Sequence, residues 1–396
     1  MPDSGARNGN PVREETIYEY LQREGVSRRQ FIKYCGMVAG AMGLWAAPVL
    51  NGSARLLGKP DLTEEVIRAL ETKPRLPVIW LDIQGCGGCT EAFAGSQSPT
   101  LVDLMLDRIS IDFHQMLFAA AGSQAETALR EATRTYAGKY VLVVEGSIPT
   151  GGEGAYCAVA GRSAVDVVRE AAAGAAVIIA TGSCSAFGGI ARATPDPTEA
   201  RSVREIVTDK PVVNIPGCPA IPEVTTGTIA RYIVFGTLPE LDDLGRPKTF
   251  YGTTIHDSCL RRPFHDAGKF ARSFDDEGAR GGWCLYELGC RGPTTYNACA
   301  TLKWGGGLSF PIQSGHPCIG CSQPDFWDDG GLYQAQSVPL DRPALTTVGM
   351  AAGVGALVGA AVAAAGRGRR KRVHEARAES TPEAESTPEP ERTGRG

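Results

Sequence analysis

The amino-acid sequence predicts an α/β protein built on a doubly wound parallel sheet, followed by an irregular cysteine-rich module and a membrane-spanning segment. Three observations carry this. Short Val- and Ile-rich runs alternate with helical stretches over residues 76–245; six of the twelve cysteines crowd, with His256, into residues 256–321; and an uncharged run fills residues 344–366. Apolar runs without strict alternation read as strands buried on both faces, and strands alternating with helices imply a doubly wound sheet of the flavodoxin-like kind.

A chain of 396 residues with 43% hydrophobic content can bury at least one sizeable core. A net charge of -4 leaves neither a nucleic-acid footprint nor a funnel for acidic substrates. Residues 1–54 form the first region. Its first 26 residues are polar and no fold is read there; Ser27-Arg28-Arg29-Gln30-Phe31-Ile32-Lys33 then precedes an apolar Gly/Ala-rich run over 35–50. Paired arginines ahead of a modest apolar segment fit a twin-arginine export signal, with cleavage near residues 46–54. Cys35 lies inside it and would serve nothing in the mature chain. Residues 55–75 read as a linker.

Residues 76–245 read as the sheet domain, with strands at 77–83, 140–144, 175–180 and 211–215 and helices at 123–137, 164–173 and 222–235. The first strand runs into Gly85-Cys86-Gly87-Gly88-Cys89-Thr90-Glu91, the third into Gly182-Ser183-Cys184, and the fourth into Pro216-Gly217-Cys218-Pro219. Ligands of an open parallel sheet bind beyond the carboxyl ends of its strands, so Cys86, Cys89, Cys184 and Cys218 are expected to converge. Glycines beside them permit tight turns and close approach of backbone N–H groups. A lone cysteine is more often a small buried hydrophobe, which is the reading for Cys157.

Residues 246–330 read as the second module, with His256, Cys259, Cys284, Cys290, Cys299, Cys318 and Cys321 amid Gly, Pro and aromatic residues. Soft and borderline ligands at such spacings favour iron, zinc or copper, and a segment with few regular elements needs a clip to hold its shape. In an exported chain a disulfide scaffold stays open as the other reading. Residues 331–343 are a linker. The run at 344–366 is long enough to span a bilayer, and Gly349/Gly353 and Gly355/Gly359 give small-xxx-small spacing. Arg367, Arg369, Arg370, Lys371 and Arg372 then place the C-terminus in the cytoplasm, so residues 367–396 are a basic stop and a disordered tail.

Arg-Arg-x-Phe, Cys86-x-x-Cys89-Thr-Glu91, Glu145-Gly146, Gly182-x-Cys184 with Gly188-Gly189, Pro216-Gly217-Cys218-Pro219, His256-x-x-Cys259 and Cys318-x-x-Cys321 together make the chain resemble the small subunit of membrane-bound nickel-iron uptake hydrogenases. The resemblance implies a proximal 4Fe-4S cluster on Cys86, Cys89, Cys184 and Cys218, and a distal 4Fe-4S cluster on His256, Cys259, Cys284 and Cys290. It implies a medial 3Fe-4S cluster on Cys299, Cys318 and Cys321, with Pro311 where a fourth cysteine would stand. Gly88 and Gly189 occupy the positions of the two extra cysteines of oxygen-tolerant relatives, which implies a conventional proximal cluster. A neutral histidine ligand makes the distal cluster less negative and tends to raise its potential. No ligand role is read for His265 or His316, and Glu91 is expected to position its loop, assist protons or face solvent.

On this resemblance, hydrogen is split at a nickel-iron centre in a partner large subunit, and this chain carries the electrons to a membrane cytochrome b and quinone. The expected assembly is a heterodimer on the outer face of the cell membrane, with no nucleic acid involved. The competing readings are an iron-sulfur subunit of another membrane redox complex, a cytosolic hydrogen-sensing subunit, and an exported disulfide-stapled protein.

Overall fold

The computed structural model describes residues 74–97 and 109–328, with 16–23, 25–32 and 333–335 and the single residues 35, 68 and 71. The chain divides into two units, Met1–Val338 and Pro339–Gly396. The second lies wholly outside the described residues, as do the membrane segment expected at 344–366 and its basic stop. Among the described residues no helix is long and apolar enough to cross a membrane.

Five strands form one sheet: β1 (Leu76–Asp82), β2 (Ile109–His114), β3 (Val141–Glu145), β4 (Val177–Thr181) and β5 (Val212–Ile215), in the order β2-β1-β3-β4-β5. Every pairing is parallel, with Val78 opposite Val141, Leu142 opposite Ile178 and Ile179 opposite Val213. This is the strand order of flavodoxin-like sheets. The four expected strands are present within two residues of their ends. The additional one, β2, is an edge strand; Ser110 and Asp112 alternate with its apolar residues, so it lacks the continuous apolar run of a fully buried strand.

Side-chain alternation divides the sheet into two cores. Val78, Trp80, Val143, Ile179, Val213 and Ile215 point to one face; Ile79, Leu81, Leu142, Val144, Ile178 and Ala180 point to the other. Helices α3 (Ser123–Thr135) and α4 (Ala164–Gly174) cover the second face with Leu129, Ala132, Val167 and Val168. The first face receives α6 (Pro222–Phe235) through Val224, Ile229 and Ile233, and also Phe250, Tyr251, Leu285, Phe310 and Ile312 of the cysteine-rich module. Each such buried side chain contributes roughly 1.5–3 kcal/mol. The module therefore packs on the sheet by ordinary hydrophobic burial, although its own backbone consists mainly of turns and short 3-10 helices.

The N-terminal region departs from expectation. Residues 17–23 form α1 (Ile17–Arg23), and Ile17, Leu21, Phe31 and Cys35 are all buried within the first core. The spacing of Ile17 and Leu21 is a helical i, i+4 pair that the surrounding charges obscure. Ser27 and Gln30 bond reciprocally across the paired arginines, a capping box that starts a second short turn.

Candidate metal centres

The first thiol group lies at the carboxyl ends of β1, β4 and β5, the position that strand topology predicts. Cys86 sits in the turn after β1 and Cys89 in the first turn of α2 (Gly88–Ala94). Cys184 sits in α5 (Gly182–Phe187), immediately after β4, and Cys218 in the loop after β5. Cys86 and Cys218 are exposed, and Cys89 and Cys184 are half-buried. Burial, followed by the negative charge of Glu145, holds the Cys89 thiol well above its ordinary range; burial and the neighbouring Cys218 push Cys184 up to about 11. Thiols that raise one another's pKa share one small volume, and they ionise together only beside a compensating cation.

Glycines shape the cradle. Gly182 has φ +86°, and a Cβ there would lie 2.5 Å from Cys89 Sγ; Gly189 has φ +61°, and its Cβ would drive into Cys184. Gly88 is less confined, with a Cβ position 3.2 Å from Cys86 Sγ.

Glu145, at the end of β3 and 2% exposed, is the carboxylate that holds this loop. It accepts hydrogen bonds from the backbone N–H groups of Cys89 and Thr90 at 2.9 Å each, from Thr90 Oγ1 at 2.6 Å and from Trp80 Nε1 at 3.3 Å. A carboxylate at the start of α2 satisfies donors that the helix leaves open. Glu91 is exposed. The sequence signal for this role was an acidic residue ending a fully apolar strand, Val141-Leu142-Val143-Val144-Glu145.

His256, Cys259, Cys284 and Cys290 line one shared concavity together with Arg261, Arg262 and Ile312. Burial, then His265 and Arg262, lowers His256 to about 4, leaving a neutral imidazole able to act as a ligand. Burial pushes Cys284 and Cys290 up to about 12. Arg261 is 7% exposed; its backbone N–H lies 3.4 Å from Cys259 Sγ and its guanidinium donates to the carbonyls of Ile312 and Trp283. His265 meets His256 edge-on, with ring centroids 4.8 Å apart. His316 instead bonds the Pro317 carbonyl and the Tyr333 hydroxyl.

Cys299, Cys318 and Cys321 form the third group, between the other two. Burial pushes Cys318 up to about 12 and Cys321 to about 11, and holds Cys299 well above its ordinary range. Pro311 is exposed between buried Phe310 and Ile312. The hydroxyl of Ser183, the neighbour of Cys184, donates to the Cys321 carbonyl, and the Cys318 N–H donates to Cys290 Sγ at 3.4 Å. Hydrogen bonds thus link the first group to the third and the third to the second. Two residues without a sequence signal line this junction: Tyr251, whose hydroxyl donates to the Pro216 carbonyl at 2.8 Å, and Arg246, stacked over Tyr251 and paired with Asp242 at 2.7 Å.

None of the twelve cysteines forms a disulfide. Cys157 packs against the second core, in keeping with a structural role. Among the described residues no three His, Cys, Asp or Glu side chains close around a single metal ion.

The family model for the C-terminal part of the NiFe/NiFeSe hydrogenase small subunit matches residues 251–334, and one described as NADH ubiquinone oxidoreductase, 20 Kd subunit, matches residues 86–232. The chain is 50% identical over 319 residues to the uptake hydrogenase small subunit of Afipia carboxidovorans, covering 81% of this chain and 83% of that one. It is 44% identical over 352 residues to the hydrogenase-1 small chain of Escherichia coli K12, covering 89% and 90%. The crystal structure of a reduced, active form of the Ni-Fe-Se hydrogenase from Desulfomicrobium baculatum superposes with a TM-score of 0.62 and 36% identity, covering 66% of this chain and all of that one.

Proposed function

Because the chain belongs to the small-subunit family of nickel-iron hydrogenases, we propose that its three thiol groups hold three iron-sulfur clusters in a line. The chain is the electron-transfer subunit of such an enzyme, and the hydrogen-activating site is on the large subunit. Cys86, Cys89, Cys184 and Cys218 hold a proximal 4Fe-4S cluster; Cys299, Cys318 and Cys321 a medial 3Fe-4S cluster; His256, Cys259, Cys284 and Cys290 a distal 4Fe-4S cluster. When bound, these clusters supply one-electron carriers whose potentials follow type, charge, burial and hydrogen bonding.

The residues present fit such groups. Room beside Cys89 and Cys184 exists only because Gly182 and Gly189 lack a Cβ. Backbone N–H groups of Arg261 and Gly320 donate to the Cys259 and Cys318 sulfurs at 3.4 Å each, which favours the ionised thiols.

The observation that carries the reading is the hydrogen-bonded linkage of the three groups in the order first, third, second. Buried Arg246, Arg261 and Arg291 offset the negative charge that thiolates bring into the interior, and burial of the third group keeps water from it. The first group lies on an exposed edge beside Met116 and Ile190, 51% and 57% exposed, which suits it to face the large subunit. Residues 76–245 carry the proximal site and 246–330 the other two.

A twin-arginine signal at the N-terminus, an anchor at 344–366 and a cytoplasmic C-terminus put the clusters outside the cytoplasm. In that setting the distal group, beside half-exposed Leu260, delivers electrons to a membrane cytochrome b and quinone. Gly88 and Gly189 favour the conventional proximal cluster. The hydrogenase-specific match over residues 251–334 separates this chain from quinone-reductase relatives.

The test is Cys299→Ala in the heterodimer. We expect loss of the oxidised three-iron EPR signal and of hydrogen-driven dye reduction, while hydrogen/deuterium exchange at the large subunit persists. An unchanged signal and unchanged dye reduction would overturn the assignment of the third group.

A further inference from the structure

We propose that Ser183 is a positioning residue that clamps the first thiol group to the third and so sets the electronic coupling between them; this rests on the ligand reading above. Ser183 lies in the first turn of α5 and is 2% exposed. Its backbone N–H donates to the Gly217 carbonyl at 2.9 Å, and its Oγ accepts from the Gly217 N–H at 2.9 Å. The same hydroxyl donates its proton to the Cys321 carbonyl oxygen. One small side chain therefore touches the neighbour of Cys218 and a member of the third group, while itself being the neighbour of Cys184.

The chemistry requires a hydroxyl at this point. Gly217 N–H is a buried donor and the Cys321 carbonyl a buried acceptor, and a serine hydroxyl serves both at once. The two hydrogen bonds to Gly217 fix the turn that carries the next residue, Cys218, and the bond to the Cys321 carbonyl holds the third group against that turn. A single electron crossing there leaves one group and arrives at the other, with no bond made or broken and no proton required of Ser183. Burial and hydrogen bonding around a cluster also tune its potential, so the clamp acts on driving force as well as on distance. The other junction, from Cys318 N–H to Cys290 Sγ, has no corresponding serine clamp among the described contacts.

The test uses the assembled heterodimer with Ser183→Ala, Ser183→Thr and, as control, Ser185→Ala. Ser185 lies on the same helix, is fully buried and bonds only the Thr181 carbonyl at 3.1 Å. The readouts are iron content, the reduction potential of the three-cysteine cluster, its magnetic coupling to the first cluster, and hydrogen-driven dye reduction. Ser183→Ala is expected to keep its iron, shift that potential, weaken the coupling and slow dye reduction several-fold; Ser183→Thr is expected to restore all three, and Ser185→Ala to leave them unchanged. Should alanine prevent assembly, Ser183→Cys, a weaker donor and acceptor, is read by the same measurements with iron content guarding against extra ligation. A Ser183 variant matching the Ser185→Ala control in potential and coupling would overturn the clamp. Wild-type protein without a three-iron signal would instead overturn the ligand reading on which it stands.

Discussion

Glu145 gathers four donors onto one buried carboxylate, two of them the backbone N–H groups of Cys89 and Thr90. Replacing it with alanine strands those donors in a dry site at about 1–3 kcal/mol for each group left unpaired. Glu145→Ala is therefore expected to lower the denaturation midpoint and to release iron from the first group before the others; retention of full stability and iron would contradict its holding role. Gly189→Ala tests the cradle beside it, because φ +61° and the approach to Cys184 penalise any side chain there. Strain of roughly 1–3 kcal/mol should appear as loss of the proximal cluster's signal. His114 supplies a pH dependence. It is 1% exposed and stacked on Trp80, with Nδ1 accepting from the Met116 and Leu117 N–H groups, and burial lowers it to about 4. A depressed histidine leaves stability whole above its unfolded value of 6.5 and withdraws it as pH falls toward about 4. The loss approaches ~3 kcal/mol at most. Unfolding titrations of wild type and His114→Gln should diverge in slope within that window, and parallel curves would contradict the assignment.

The proposed cysteine ligands were legible as groups because thiols at short spacing after glycine have few other uses. Glu145 and Ser183 were not, since an acidic residue ending a strand and a serine between glycine and cysteine are each compatible with many environments. The structure supplies what spacing cannot: the donors that face them.

At the scale of elements, the four buried strands were readable from continuous Val and Ile runs, and their helices from the intervening stretches. Strand β2 was missed because an edge strand wets one side, and its Ser110 and Asp112 break the apolar run. Helix α1 was missed because its two buried positions are diluted by polar neighbours. Helix α6 is the element that joins the two halves, packing Ile229 at 0% exposure into the core shared by the sheet and the cysteine-rich module. Ile229→Ala should cost about 2–5 kcal/mol in denaturant unfolding. A change below about 1 kcal/mol, far under the ordinary range for such a cavity, would mean that α6 packs less tightly than described.

At the scale of the molecule, one hydrophobic core carries the sheet and the irregular module together, so the three thiol groups are held in fixed order by packing as well as by bonding. The order was expected from the resemblance, which makes the Cys299, Cys318 and Cys321 site medial, and not from position along the chain. Cys299, Cys318 and Cys321 come last in the chain yet lie between groups that precede them, because the segment turns back toward β5 after the second group. The membrane segment expected at residues 344–366 lies outside the described residues.

The measurement that tests the central claim most directly is iron and acid-labile sulfide in the anaerobically purified heterodimer, together with EPR of the oxidised sample. The account predicts roughly eleven irons in this subunit, with the signal of an oxidised three-iron cluster. Absence of iron and sulfide would contradict it outright. About twelve irons without that signal would mean that the three-cysteine site keeps a fourth iron through another ligand.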